Sequence, residues 1–384
     1  MKILMLSMGS IHFFRWAEQL KDSGLEIFWF DILDGGVKSP RLDWADQKVG
    51  WKKRFDYPGR IFLKNKIPFI HKFIQFFNDK KTSTEFEHYL NEVKPDVVHS
   101  FVMYMSCFPI LEVMKKNLKI KWIYSAWGND LYYYKNVPKR LSEIKETLPH
   151  INYMFADCTR DFHIARELGF KGEYLGTFPT GGGYELNEYK PYKKELEKRN
   201  TILIKGYQHK FGRANKVLEA IALLKKLLNN YLIVVYAANE EVSNKVLELN
   251  LNNWENFTFL GQIPHKELLK IKGKTLIYIG NSISDGTPNT LLEAFIMGAF
   301  PIQSNPGGAT TEWITHKKNG LLLEDPENTE AIADQIAYAL SHPKMLQDGI
   351  DFNTNEIIPL LEREYVRENI LEKYNKIEST LQLC

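Results

Sequence analysis

Cysteine is scarce in this chain of 384 residues: only Cys107, Cys158 and Cys384 occur, with no CxxC pair and no histidines at metal-ligand spacing. That excludes a disulfide framework and a cysteine-based zinc site, and leaves three thiols expected to be reduced in a cytosolic protein. Long apolar runs are missing too, since no stretch approaches the roughly 20 uncharged residues of a membrane span. The opening MKILMLSMGS lacks a small-residue cleavage site and reads as a first strand, so the chain is expected to stay on the cytoplasmic side where it is made. Excess charge of one sign is absent as well. A net charge of +3 gives no reason to expect nucleic acid as a partner. There is no internal repeat, no low-complexity tract, and no G-x-G-x-x-G after the first strand of either half with an acid about 20 residues on, which disfavours a nicotinamide-dependent oxidoreductase.

What is present is an ordinary globular composition, 44% hydrophobic, 25% charged and 13% aromatic, long enough for two cores of about 150 to 200 residues each. Short apolar runs alternate with amphipathic segments, the pattern of parallel sheets flanked by helices. Residues 3–7, 27–30, 96–101 and 122–126 read as strands, and Phe13 to Ser23 and Phe108 to Asn117 as helices. The alternation restarts with strands over 202–205, 232–237, 257–261, 276–280 and 299–303. The expected organisation is an α/β domain over 1–183, a solvated hinge over 184–199, a second α/β domain over 200–362 and a terminal helix over 363–384.

The richest stretch in chemistry is GNSISDGTPNTLLEAFIMGAFPIQSNPGGATTE, residues 280–312. A strand ends at Gly280, a loop carries Asp285, a short helix carries Glu293, and Gly298 stops that helix. Ligands of open α/β sheets sit beyond the carboxyl ends of strands, where a helix start favours an anion. Gly286 admits a ligand close to the main chain, and Pro288 suits a first helical turn. Two carboxylates there can read hydroxyls, Glu293 taking two ribose hydroxyls and Asp285 those of a sugar. By itself the pattern equally allows Asp285 as a helix cap and Glu293 as a solvent-facing residue.

An acid, seven residues, and then Glu293 closely resembles the E-x7-E motif of retaining family-4 glycosyltransferases, with Asp285 where the family usually has Glu. The resemblance covers nearly the whole chain and is strongest from Gly261 to Leu323. It implies the GT-B fold, two facing Rossmann-like domains with a deep interdomain cleft and a terminal helix returning to the first. It also implies transfer of a hexosyl group from a nucleotide-diphosphate sugar with retention of anomeric configuration. Asp285 would contact the transferred sugar and Glu293 the ribose, with Thr287, Asn289 and Thr290 completing the donor contacts and Asn305 to Thr310 forming a last loop before Glu312. In ILIKGYQHKFGRANKVLEAIALL, Tyr207 and Gly212 fall where the family presents Arg and Lys to the diphosphate. Arg213 is therefore taken as the phosphate ligand, Lys205 as second choice and Lys210 as solvated. Gln262 and Ile263 would offer main-chain bonds to the base. Cations and amides leave no need for a metal or other cofactor.

On the acceptor side, Gly9 follows the first strand, with His12 and Arg15 at the next helix start, and resembles the family's Gly-loop at the reaction centre. In SAWGNDLYYY, Trp127, Gly128, Asn129 and Asp130 follow a strand. Trp127 stands where many relatives carry histidine and either packs or stacks a sugar, and Asp130 either orients the acceptor hydroxyl or caps the next segment. Residues 51–81 hold nine basic residues against Asp56 and Asp79, with eight aromatics interleaved. Two readings stand: a helix covering the core with a basic outer face, or a surface for anionic lipid. The second makes the acceptor a lipid-linked glycan at the cytoplasmic face of a membrane, in polysaccharide or cell-envelope synthesis. A sugar-nucleotide epimerase of the same architecture and a non-catalytic nucleotide-sugar-binding protein are the rival functions.

Overall fold

The computed structural model describes residues 1–382, apart from the side chain of Ile61; Cys384, read above as a thiol, lies outside the described residues. The chain divides into two compact units, one of Met1–Asp157, Asp161–Gly182 and the chain from Arg367 on, the other of Cys158–Arg160 and Gly183–Val366.

In the first unit, β1 (Lys2–Ser7), β2 (Glu26–Asp31), β3 (Asp46–Lys48), β4 (Val97–Phe101), β5 (Lys121–Ala126), β6 (Tyr153–Ala156) and β7 (Glu173–Thr177) form one sheet in the order β3-β2-β1-β4-β5-β6-β7. Every pairing is parallel. Its central strands are buried along nearly their whole length, as strands covered on both faces must be. In the second unit, β8 (Thr201–Lys205), β9 (Leu232–Tyr236), β10 (Phe257–Phe259), β11 (Thr275–Gly280), β12 (Phe300–Ser304) and β13 (Leu321–Leu323) run parallel in the order β10-β9-β8-β11-β12-β13. In each sheet the order reverses beside the unit's first strand, at β1/β4 and at β8/β11. Loops leaving those two neighbouring strands diverge and open a crevice.

Several elements depart from the sequence expectation for local reasons. The first helix is Ile11–Glu18, started by Ser10, whose hydroxyl accepts the Phe13 N–H at 3.3 Å. Beyond it, Leu20 and Lys21 bond three residues back rather than four, so the expected run to Ser23 tightens into turns. Pro109 has no N–H to give, and the expected helix 108–117 becomes a 3-10 turn followed by Leu111–Lys116. β3, β6, β7 and β13 were not foreseen, being short or polar. The segment 184–199 belongs to the second unit and is tied to it by the buried Tyr184, Tyr189 and Arg199, while most of its lysines and glutamates stay exposed. Arg199 donates to the Met297 carbonyl at 3.0 Å and also to that of Gly298, satisfying the end of the helix Asn289–Met297.

The terminal helix Arg363–Gln382 contributes Tyr374 to a buried network in the first unit. The Tyr374 hydroxyl accepts the Trp16 indole N–H at 3.2 Å and lies 2.7 Å from His99 Nδ1, while His99 Nε2 lies 2.8 Å from Ser125 Oγ. Having accepted from Trp16, the phenol gives its proton to Nδ1, which leaves the neutral imidazole with its proton on Nε2. Burial holds the His99 pKa well below the ordinary histidine value. In the unfolded chain the same group takes a proton near pH 6.5, so the stability it contributes is complete above that pH and declines as the pH falls toward the lowered native value. The urea midpoint of the first unit should therefore drop between about pH 7 and pH 5, and drop less in His99→Gln. Equal slopes would show that His99 does not carry the effect.

Candidate functional site

The crevice beside β8 and β11 is built by two loops stitched to each other. Gly212 pairs with Ser282 as an antiparallel bridge, Ile283 N–H donates to Phe211 O at 2.9 Å, and Arg213 N–H donates to Asn281 O at 3.0 Å. Ser282 N–H is taken by Ser304 Oγ at 2.9 Å, which ties in the end of β12. Within the loop after β8, His209 Nδ1 accepts the N–H groups of Phe211 and Gly212 at 2.8 and 3.0 Å. With Nδ1 accepting twice, the neutral ring carries its proton on Nε2, and burial lowers its pKa. His209 was missed in the sequence, where nothing separates it from a solvated loop histidine.

Arg213 lies at the start of the helix Ala214–Leu223. Its Nε pairs with Glu327, and its Nη1 donates to the carbonyls of His209 at 3.0 Å and Gly212 at 2.9 Å, so it braces the loop. Its Nη2 makes no hydrogen bond among the described residues. Lys205 is half-buried at the end of β8, its ammonium 5.5 Å from the centre of the Tyr207 ring.

The loop after β11 carries Asp285, half-buried, whose Oδ1 accepts the Gly286 N–H at 3.0 Å. Gly286, Thr287 and Pro288 are buried, and Thr287 Oγ1 accepts the Trp313 indole N–H at 3.0 Å. The helix Asn289–Met297 then starts without a side-chain cap, Leu291 N–H returning to Pro288 O. Its first residues are held from the side: Asn289 Oδ1 accepts the Tyr184 hydroxyl at 3.0 Å, and Thr290 Oγ1 that of Tyr278 at 2.8 Å.

From Leu291 to Met297 every residue of this helix is buried, Glu293 among them. That removes the solvent-facing reading of Glu293. Its Oε2 is paired with the ammonium of Lys272, itself 2% exposed, while Oε1 lies 3.5 Å from Nε2 of the exposed His265. Burial works against the charge, but Lys272 and His265 overcome it and hold the carboxyl near a pKa of about 2. Of the two oxygens expected to take ribose hydroxyls, one is thus already paired with Lys272. Gln262 is exposed and Ile263 half-buried in the turn after β10 that leads to the helix His265–Lys272. Glu312 closes the 3-10 segment Pro306–Glu312.

In the first unit, the loops after β1 and β5 meet. His12 and Trp127 face edge-on with centroids 6.5 Å apart, and Trp127 also lies 4.8 Å from the Phe101 ring, so it packs while staying half-exposed. Gly9 is exposed and Arg15 half-buried. Asn129 Oδ1 is buried without a protein partner, and Gly128 N–H donates to Asp157 Oδ2 at 2.8 Å. Asp130 is only 2% exposed, and its Oδ2 accepts the Tyr124 hydroxyl at 2.6 Å and the Met103 N–H at 2.7 Å. Burial pushes its pKa up to about 7. Oδ2 is thereby engaged in anchoring its own unit, while Oδ1 is buried without a hydrogen-bond partner among the described residues. Asp130 secures the turn in which Val102 has φ of 71°, a region a β-branched residue rarely enters. Among the described residues, the grouping of metal-type ligands Asp157, Cys158 and Asp161 is buried and already engaged by Gly128 through Asp157.

Residues 187–354 match the model of glycosyl transferases group 1. No curated protein matches the chain in sequence. Its fold is that of GT-B glycosyltransferases. The sucrose-phosphate synthase of Thermosynechococcus elongatus superposes with a TM-score of 0.73 at 15% identity, covering 99% of either chain. HepE of Anabaena, solved with UDP and glucose, gives 0.68 at 11% identity over 98% of this chain and 100% of its own. The lipopolysaccharide outer core galactosyltransferase WaaB gives 0.67 at 14% identity over 98% and 99%.

The stitched loops depend on Gly212, where a Cβ would stand 1.9 Å from the Tyr207 carbonyl oxygen. Gly212→Ala should cost about 1 to 3 kcal/mol by urea unfolding of the second unit, because a backbone neighbour cannot step aside as a side chain can. An unchanged midpoint would show the loop to be adaptable.

Proposed function

We propose that this chain, a nucleotide-sugar glycosyltransferase by the group 1 match of its second unit, moves a hexosyl group from a UDP-sugar to a glycan or lipid-linked glycan with retention of configuration. The observation that carries the reading is the pair of carboxylates on one loop and helix after β11, Asp285 half-buried and Glu293 ionised in a buried setting, beside a stitched loop that ends in Arg213. Acidic side chains accept from sugar and ribose hydroxyls, while the guanidinium and the helix start favour the diphosphate. As the glycosidic bond breaks, Nη2 of Arg213, unused by protein acceptors, stabilises charge gathering on the leaving phosphate. The leaving phosphate then takes the proton of an acceptor hydroxyl entering on its own side, which retains configuration. UDP is chosen because HepE of Anabaena is solved with UDP and with UDP-glucose.

Supplied with UDP-hexoses and a glycan acceptor, the protein should release UDP. Asp285→Asn should lower transfer by about 100-fold or more while leaving UDP affinity within about threefold, since it loses a sugar contact and not the nucleotide. UDP binding without release in any acceptor mixture would favour the binding-only reading. Interconversion of the UDP-sugar itself would favour the epimerase.

Residues 54–81 support a lipid-bound acceptor. In the helix Pro68–Asn78 the polar residues His71 and Asn78 are buried, and Asn78 bonds both main-chain groups of Phe55 at 2.7 and 3.0 Å. The opposite face exposes Phe69, Lys72, Phe73 and Phe76, at 73, 67 and 80% exposure for the three phenylalanines. Trp51 takes no part, being buried with its indole N–H on Asp31 O. A helix with its apolar side outward, ringed by Lys64, Lys66 and Lys72, suits insertion into an anionic bilayer surface. No described helix is long and apolar enough to cross a membrane. Vesicles containing phosphatidylglycerol should bind the protein and pure phosphatidylcholine vesicles should not, and replacing Phe69, Phe73 and Phe76 by Ser should weaken binding about tenfold or more. Equal binding by that variant would remove the helix from the lipid contact.

A further inference from the structure

The helix Asn289–Met297 carries one ionised group in an otherwise apolar, fully buried stretch. A leucine at position 293 would pack there without a counter-charge, and replacing a buried ion pair by apolar residues is often neutral or stabilising. Stability alone therefore gives no reason to keep Glu293 together with a buried lysine. Lys272 is the last residue of the helix His265–Lys272, with its side chain 3% exposed. Besides Glu293, its ammonium faces the ring of Tyr236 at 5.7 Å. Among the described residues, neither the Tyr236 hydroxyl nor that of Tyr278, which is given to Thr290 Oγ1, hydrogen-bonds the carboxylate.

The two carboxylate oxygens differ in what they meet. Oε2 is held from the buried side by Lys272. Oε1 faces Nε2 of His265 at 3.5 Å, the outer limit of a hydrogen bond and from a side chain 51% exposed, a weaker hold than that of Lys272 and one that a ligand hydroxyl can replace. We infer that Lys272 is a positioning residue for the donor: it holds Oε2 so that Glu293 presents Oε1 alone, aimed at a single ribose hydroxyl of the nucleoside diphosphate. The inference rests on the donor reading above and refines it from a two-hydroxyl grip to a one-oxygen grip that a buried cation aims. Asp285 lies outside this pair and is unaffected by it.

The tightest of UDP, GDP and ADP would be titrated calorimetrically into the intact protein, followed by its 2′-deoxy and 3′-deoxy forms. The intact protein should bind one of the deoxy forms about tenfold or more weaker and the other nearly as well as the parent. Lys272→Met should weaken the parent nucleotide about tenfold or more and bring it level with both deoxy forms. Lys272→Arg keeps a buried cation, but its planar fork takes both carboxylate oxygens, so it too should lose the discrimination. A lysine serving stability alone would lower the melting temperature in these variants and leave the ratio of parent to deoxy affinity as it was, and that result would overturn the inference. Equal loss with both deoxy forms in the intact protein would also overturn it. Should neither variant fold, a crystal of the intact protein with the nucleotide decides: Oε2 still on Lys272 and Oε1 on the ribose supports the inference, and both oxygens on the ribose overturns it. If none of the three nucleotides binds the intact protein, it is the donor reading that fails.

Discussion

A carboxylate taken out of water stays ionised only if a cation or several hydrogen-bond donors are taken out with it, and for Glu293 the structure supplies a cation. The second unit is arranged around that requirement. From Leu291 to Met297 the helix that carries Glu293 is otherwise apolar and packs on β11 and β12, and its one charge meets Lys272 from the helix before β11. Both ends of the same helix are then secured by side chains from the segment that enters the unit. Tyr184 holds Asn289 at the start, and Arg199 satisfies the carbonyls of Met297 and Gly298 at the end. A helix fixed at three points keeps its first turn, and the loop with Asp285 before it, in place beyond the sheet.

The first unit also buries an acid, but with hydrogen-bond donors in place of a cation. Among the described residues no cation pairs with the buried Asp130, which is held by the Tyr124 hydroxyl and the Met103 amide, and burial raises its pKa to about 7 where Glu293 falls to about 2. The contrast separates two uses of an acid at the end of a parallel strand. One is kept charged by Lys272; the other keeps the strained Val102 turn in its shape. His12 and Trp127, brought together from the loops after β1 and β5, stay half-exposed on that side, as do Arg15 and Asn129.

Periodicity and loop residues made the two parallel sheets legible, because central strands covered on both faces read as unbroken apolar runs. The edge strand Asp46–Lys48 escaped notice because its sequence, DQK, is polar and its pairing comes from β2 alone. Asp285 and Glu293 could be singled out because their spacing resembles the E-x7-E motif of family-4 glycosyltransferases; the local pattern by itself left a helix cap and a solvent-facing acid equally open. Lys272 could not, since it is 21 residues from Glu293 and looks like any lysine at the end of an amphipathic helix. The same holds for Arg199, which sits in a charged run that reads as solvated, and for the outward phenylalanines of residues 69–76, whose composition is visible but whose facing is not.

The sequence by itself determined the α/β class, the two sheets and the acids after β11, because each rests on residues a few positions apart whose chemistry acts through the local backbone. Which acid is charged, which oxygen it offers, and which side of the Pro68–Asn78 helix meets the surroundings were decided only by the tertiary structure. Those properties depend on burial and on partners distant in the chain, and neither is a property of a residue until the chain has folded around it.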